Sequence, residues 1–318
     1  MSSPRRSQAR IAYSSTFALQ SAFGTALGNG ALDAVFNLSD EEPKLEFVTK
    51  DDRIIDCTGQ YSIDEVILSR YCRLSFGIEV EAAVLNGLVG WAFGTVSGDD
   101  SLMLSPSEFT LPVTSFIYGF VGGAQNPLKL KDMALASIRI TGRVNERVKA
   151  SVAFVGHGAP VAGSFTFPDC STITPVYLKD GAFTINSVSH LADCREFEFG
   201  YDNKPLIDED PFTLASIDVT RIERADQREY LLKCTIFGEP NDTLEAASRT
   251  NPKTKYAASL RIGSATAGVT FTSASAIFRQ RGTTFDGEAR RNAIQYELEP
   301  VRLSGNANTP VKATHNVP

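Results

Sequence analysis

Three short stretches of this 318-residue chain place glutamates two positions apart: Glu79 and Glu81 in GIEVE, Glu196 and Glu198 in REFEF, Glu297 and Glu299 in YELEP. A pair of carboxylates can supply the acid and base of glycoside hydrolysis. In an extended strand, alternate side chains share a face. Each pair would then line one face, with Ile78 and Val80, or Phe197 and Phe199, on the other. A solvated face of a half-buried sheet has the same pattern, so the spacing leaves both readings open. Acidic runs at Ser39-Asp40-Glu41-Glu42 and Asp208-Glu209-Asp210 could be glycosidase acids or calcium ligands. Each run is followed by a proline in a loop-like setting, where a solvated acidic loop is the simpler reading.

Other catalytic chemistry finds little support. The three histidines, His157, His190 and His315, are isolated, and no H-E-x-x-H or Cys/His cluster marks a zinc site. There is no G-x-S-x-G elbow, Walker loop or dinucleotide fingerprint. GFVGGAQNPLK (119–129) lacks the Walker lysine placement. The single tryptophan, Trp91 in GLVGWAFG, has Leu88, Val89 and Phe93 around it and reads as a packing residue rather than a sugar platform. No cofactor is expected, and the chain is not read as an enzyme.

Composition narrows the class. At 42% hydrophobic and 21% charged, the chain is an ordinary globular one, and its length allows one large domain or two moderate ones. No apolar run approaches the ~20 residues of a membrane-spanning helix. A net charge of -6 argues against sequence-independent nucleic-acid binding, which needs clustered cations. The first 32 residues differ: they carry Arg5, Arg6 and Arg10 and no acid. Such a start fits a mitochondrial transit peptide or an ordered arm. The five cysteines are widely spaced and odd in number, as in reduced, mostly buried thiols. Cys72, Cys194 and Cys234 fall on apolar-leaning faces of strand-like runs.

Extended segments dominate. YCRLSFGIEVEAAV (71–84) alternates Cys72, Leu74, Phe76, Ile78 and Val80 against Arg73, Ser75, Glu79 and Glu81. ALASIRIT (134–141) and RVKASVAFVG (147–156) flank a turn-sized connection containing Gly142 and Asn145, which predicts a hairpin. Further strands are predicted over 183–189, 195–201, 213–222, 228–238, 256–263, 267–278 and 292–303. Helical signals are few: a capped stretch at 242–249, an ambiguous one at 63–71, and 18–27 as helix or arm. Many short strands between Gly- and Pro-rich turns predict a mainly β, antiparallel sandwich or barrel. The Glu-x-Glu strands of the two halves suggest a duplication, with a seam near 158–175.

Four pieces together resemble the major tail tube proteins of long-tailed (siphovirus-type) bacteriophages. AYSSTFALQSAFGTALGNGAL (12–32) is similar to that family's arm with its aromatic-Gly-Thr step, here Phe23-Gly24-Thr25, although Gln20 stands where an acid is common. YCRLSFGIEVEAAVLNGLVGWAFG (71–94) resembles its first-half strand and apolar stretch. KLKDMALASIRITGRVNERVKASVAFVGHG (129–158) resembles its hairpin, and GAFTINSVSHLADCREFEFGYDNKPL (181–206) its second-half wall strand.

The resemblance implies an N-terminal arm (1–32) and two β halves (33–160 and 161–318) forming one unit, with one or two short helices. It implies rings of six subunits, or of three if the tube domain is duplicated, whose inner sheets close into one barrel. Stacked rings would form a conduit in the virion tail, made in the host cytoplasm, with no membrane partner. Its other partners would be the tape-measure, tail terminator and distal tail proteins, and DNA in passage. Within that family reading, Glu79, Glu81, Glu196 and Glu198 would face the lumen and repel phosphates. Phe76, Ile78, Val80, Phe197 and Phe199 would pack outward. Arg5, Arg6, Arg10 and Phe23 would belong to the inter-ring arm, docking on Asp40–Glu42 or Asp208–Asp210 of the next ring. The alternatives are a distal tail, baseplate or secretion-tube ring of similar fold, and a carbohydrate-binding β-sandwich.

Overall fold

The computed structural model describes residues 9–39, 42–55, 62–93, 101–102, 111–121, 126–170, 174–206, 222–224, 229–238, 255–286, 291–300 and 311–316. The first half holds β1 (Ala9–Tyr13), β2 (Ala34–Val35), β3 (Lys44–Ile55), β4 (Ser62–Glu79), helix α1 (Ala82–Phe93), β5 (Ser101–Leu102), β6 (Val113–Phe120), β7 (Leu128–Arg143), β8 (Lys149–His157) and β9 (Val161–Ala162). The second holds β10 (Ala182–Ile185), β11 (Val188–Ser189), β12 (Cys194–Asp202), β13 (Pro205–Leu206), β14 (Glu223–Arg224), β15 (Glu229–Gly238), β16 (Lys255–Gly263), β17 (Gly268–Asp286), β18 (Arg291–Pro300) and β19 (Lys312–Asn316). The protein is mainly β and antiparallel, in accord with the alternation in its sequence.

The spine is a run of eight strands in the order β3-β4-β8-β7-β12-β15-β18-β17. One face of it is apolar. Leu74, Phe76 and Ile78 of β4, Val152 and Phe154 of β8, Phe197, Phe199 and Tyr201 of β12, and Tyr296 and Leu298 of β18 are each under 4% exposed. Gly142 of β7 lies opposite Phe197, and a Cβ there would stand 2.4 Å from the Phe197 ring. Only glycine lets that ring lie flat against the neighbouring strand.

Helix α1 covers part of this apolar face. Leu85, Leu88, Val89, Trp91 and Ala92 are all buried, so the helix is apolar almost all round. A fully apolar segment has no polar stripe to mark its period, and the sequence showed it only as an apolar stretch around Trp91. The packing reading of Trp91 holds: its ring meets Phe116 and Phe154 edge-on, and its Nε1 donates to the Phe17 carbonyl at 3.0 Å. Tyr201 of β12 donates to the Ala92 carbonyl at 2.9 Å and ties the end of the helix to the second half.

Several expectations change. Residues 63–71 lie in β4, so the ambiguous helical signal gives way to strand. Residues 18–27 form turns rather than helix. The expected strand 183–189 is a hairpin, because Asn186 and Ser187 both take positive φ (50° and 65°) between β10 and β11. Asn favours that conformation; Ser adopts it less readily. The expected helix at 242–249 and the expected strand over 213–221 lie outside the described residues. Cys72, Cys194 and Cys234 are buried, while Cys170 is exposed.

The N-terminal segment is ordered where it is described. Arg5 and Arg6 lie outside the described residues. From Ala9 the chain forms strand β1, paired with β6 and β2, with Ile11 and Ala12 fully buried. Arg10 sits within that strand, and Phe23 packs on a cluster of its own subunit around Tyr71, Val113 and Val155. Gln20 anchors the segment. Its Nε2 donates to the Thr25 carbonyl and to Oδ1 of the buried Asp132, and its Oε1 accepts from the Asp132 amide at 2.7 Å. Gly24, at φ +85°, brings its amide 2.6 Å from the same carboxylate oxygen.

The pairing map repeats itself. In the first half β1 pairs β2 and β6, β3 pairs β4, β4 pairs β8, and β7 pairs β6, β8 and β9. In the second half β10 pairs β11 and β16, β12 pairs β15, β15 pairs β18, and β17 pairs β16, β18 and β19. Both hairpins β6–β7 and β16–β17 carry the same irregularity: Thr114 and Phe116 oppose Met133 and Leu130, and Tyr256 and Ala258 oppose Ala276 and Ser273. The pairings of β7 with β12 and of β5 with β19 join the two repeats.

Replacing Gln20 with alanine leaves a buried carboxylate short of a donor. It should cost about 3 kcal/mol in denaturant unfolding, and a loss below about 0.5 kcal/mol would show that the segment is held by apolar contacts alone.

Candidate functional site

The face of the eight-stranded run opposite the core is polar, and its charges follow the strand register. One cross-strand row reads Glu79 (β4), Lys149 (β8), Thr141 (β7), Glu198 (β12), Lys233 (β15), Glu297 (β18) and Arg279 (β17). Acid and base alternate along it, with one neutral threonine. Opposite charges directly across an antiparallel pair attract, and like charges repel. The row therefore satisfies its own electrostatics strand by strand.

Arginines reinforce it. Arg147 binds Glu79, Arg139 binds Glu198 (3.0 Å), Arg143 binds Glu196 (3.1 Å), Arg281 binds Glu297 (2.7 Å) and Arg279 binds Glu299 (3.0 Å). Thr235 donates a further hydrogen bond to Glu196 at 2.9 Å. Above the strands β7, β8, β12, β15 and β18 this face forms an open depression of about 600 Å³, lined by Arg143, Arg147, Glu196, Glu198, Lys233 and Glu297 among others.

Five of the six sequence-chosen glutamates lie together. Glu79, Glu196 and Glu198 share the polar face, and so do Glu297 and Glu299, because β18 lies inside the same sheet rather than in a separate layer. Glu81 is the exception. β4 ends at Glu79, and the Glu81 carbonyl accepts the Leu85 amide as α1 begins. Its carboxylate accepts from Asn37 Nδ2 at 2.9 Å instead. Burial pushes the Glu81 carboxyl above the ordinary range, with the Asn37 hydrogen bond opposing. Tyr13 is pushed up to about 12 by burial, with Glu81 and Asp33 adding to the effect. Glu81 belongs to the helix entry, not to the polar face.

The cationic half of the site escaped the sequence reading. Arg139, Thr141 and Arg143 alternate within β7 as Glu196 and Glu198 do within β12, and that parity was visible in RITGR. Which strand would lie beside which was not. Among the acidic runs, Asp40, Glu41 and Asp208–Asp210 lie outside the described residues. Among the described residues no cluster of three His, Cys, Asp or Glu side chains is placed to hold a metal ion. No helix among them is long and apolar enough to cross a membrane. No family model and no curated protein matches the chain.

Arg281 forks onto Glu297 through Nε and Nη2, and this hydrogen bonding holds the Glu297 carboxyl below its ordinary range against a smaller opposing effect of burial. A carboxyl lowered in the folded state adds stability above its unfolded pKa and loses it as pH falls through the folded value. Glu297→Gln should therefore lower Tm at neutral pH, and its gap from wild type should close as pH drops through the acidic range. A gap that stays constant in thermal melts down to about pH 3 would contradict the pairing.

Proposed function

We propose that this protein is a structural subunit of a hollow conduit, the tail tube of a long-tailed bacteriophage, built from stacked rings. The observation that carries the reading is the charge-alternating face. A sheet needs one apolar face to fold; a second face on which five carboxylates are each held by an arginine exceeds what folding requires. Exposed ion pairs contribute little stability.

Such a face suits a wall past which DNA moves. Free arginines would neutralise phosphates and release counterions, and the polymer would stick. Here Arg139, Arg143, Arg147, Arg279 and Arg281 are each occupied by a carboxylate. The lining works by cancellation of charge along the row rather than by the uniform acidic repulsion expected from Glu79, Glu196 and Glu198 alone. The open depression on this face, lined by Arg143, Arg147, Glu196, Glu198, Lys233 and Glu297, supports the reading of a wall. In this reading the protein is no enzyme, requires no cofactor, and resides in the virion tail after synthesis in the host cytoplasm. Its partners are its own copies, the tape-measure protein, the tail terminator and distal tail proteins, and DNA in transit. A carbohydrate-binding sandwich fits less well, since Trp91 is buried under the sheet rather than offered to a sugar.

Purified protein should form long hollow tubes in negative-stain electron microscopy; single rings or monodisperse monomers at every concentration would contradict the reading. The Glu79→Gln, Glu196→Gln, Glu198→Gln variant frees Arg147, Arg143 and Arg139. It should fold normally and bind duplex DNA about tenfold or more tightly at low salt, with a steeper salt dependence. Unchanged DNA binding would remove the non-adhesive role of these glutamates.

A further inference from the structure

The depression on the polar face is lined by five cations, Arg143, Arg147, Lys149, Lys233 and Arg281, against four carboxylates. Its three arginines are engaged: Arg143 holds Glu196, Arg147 holds Glu79, and Arg281 forks onto Glu297. Lys149 stands directly across from Glu79. Lys233 is placed differently. The strand register sets it between Glu198 of β12 and Glu297 of β18. Both of those carboxylates already have an arginine in contact, Arg139 at 3.0 Å and Arg281 at 2.7 Å. Lys233 itself makes no ion pair among the described residues, and it is exposed.

The two kinds of cation behave differently here. An arginine's planar fork matches a carboxylate and stays on it, whereas a lysine ammonium is a compact charge on a flexible stem with three rotatable donors. With its neighbours' carboxylates held by arginines, the Lys233 ammonium is the surplus positive charge of the depression. Neutral donors stand beside it. Thr235 shares its face, two residues along β15, but its hydroxyl is given to Glu196. Gln295 of β18 lies opposite Thr235, is exposed, and lines the same depression. An ammonium and a primary amide thus share a depression of about 600 Å³.

That pair suits a phosphodiester. Its single negative charge is spread over two oxygens, one for the ammonium and one for the amide. The surroundings limit the contact to one group. Glu196, Glu198 and Glu297 lie within a strand or two of Lys233, well inside the ~10 Å over which charges act at ordinary salt. A second phosphate beside the first would meet these carboxylates, whose arginines are already engaged.

We propose that Lys233, with Gln295 beside it, is a single weak foothold for one phosphate of a nucleic-acid backbone, set in a face whose other cations are masked. The identity of the polymer rests on the conduit reading; the placement of the contact rests on the ion-pair pattern alone. Salt dependence separates this from a generally adhesive face. Each lysine–phosphate contact adds about -0.9 to the slope of log K against log salt. If Lys233 carries the contact, its removal takes away most of the slope. If Arg139, Arg143, Arg147, Lys149, Arg279 and Arg281 shared the polymer with it, removing Lys233 would take away only about one-seventh.

The test is fluorescence anisotropy of a short labelled DNA duplex titrated with the full-length protein across a range of sodium chloride concentrations. Wild type should bind weakly at low salt. Lys233→Gln should bind about fivefold or more weakly there and lose most of the salt slope. Lys233→Arg should keep both, and so should Lys255→Gln, which removes the same charge from an exposed position on β16. Circular dichroism melts matching wild type establish that each variant is folded. A Lys233→Gln slope reduced by only about one-seventh, or an equal loss in Lys255→Gln, overturns the foothold. Inorganic phosphate should displace the duplex no better than chloride at equal ionic strength; stronger displacement would assign the site to free phosphate and overturn the polymer contact. The two readings fail separately: tubes whose DNA binding ignores Lys233 sink the foothold alone. Binding that depends on Lys233 in a protein that forms no tubes sinks the conduit alone.

Discussion

The pairing of β7 with β12 is the contact on which the rest of the molecule depends. It brings together segments more than fifty residues apart, a closure that costs chain entropy before any contact repays it. The repayment comes on both faces at once. Below the sheet, Ile138, Ile140, Phe197, Phe199 and Tyr201 become dry, and Tyr201 reaches the end of α1. Above it, Arg139 and Arg143 arrive beside Glu198 and Glu196. Without that pairing the second half's carboxylates would face water with no β7 arginines to hold them, and the alternating row would break at its centre.

Much of the strand content was legible in the sequence, because alternation of apolar and polar residues is a local signal. The β7–β8 hairpin, β12 and β15 lie where their patterns placed them, while β4 covers 71–79 of the predicted 71–84 and begins earlier, at Ser62. Two kinds of feature were not legible. Helix α1 has no polar stripe, and its two inner glycines lower its helical propensity, so an apolar run was all that could be read. The anchoring of the N-terminal segment was not legible either. Its real constraint is a buried hydrogen-bond network from Gln20 to Asp132, 112 residues away, which no local pattern encodes.

The site shows the same division. REFEFG announced a strand with an acidic face, and that face exists. Its meaning lay in the neighbours: Thr141 on one side of Glu198 and Lys233 on the other, with Arg139 reaching across. Cross-strand partners are set by topology, and topology is non-local. The pairs Glu79–Glu81 and Glu196–Glu198 looked alike in sequence, yet β4 stops one residue after Ile78 and the second member of the first pair turns away with the helix. The carboxylates proved to be half of a charge-alternating surface, which changes the proposed lining from repulsive to neutral.

A sheet with one dry face, one self-neutralised face and, among the described residues, two edges without a partner strand is suited to closing on further copies. The central claim is that the row from Glu79 to Arg279 faces the axis of such a closed assembly. A cryo-electron microscopy reconstruction of the assembled protein tests this most directly. The account predicts a continuous β-barrel wall with Glu79, Glu198, Lys233 and Glu297 pointing to the axis and α1 outside it. A reconstruction with that row on the outer surface, or buried between subunits, would contradict it.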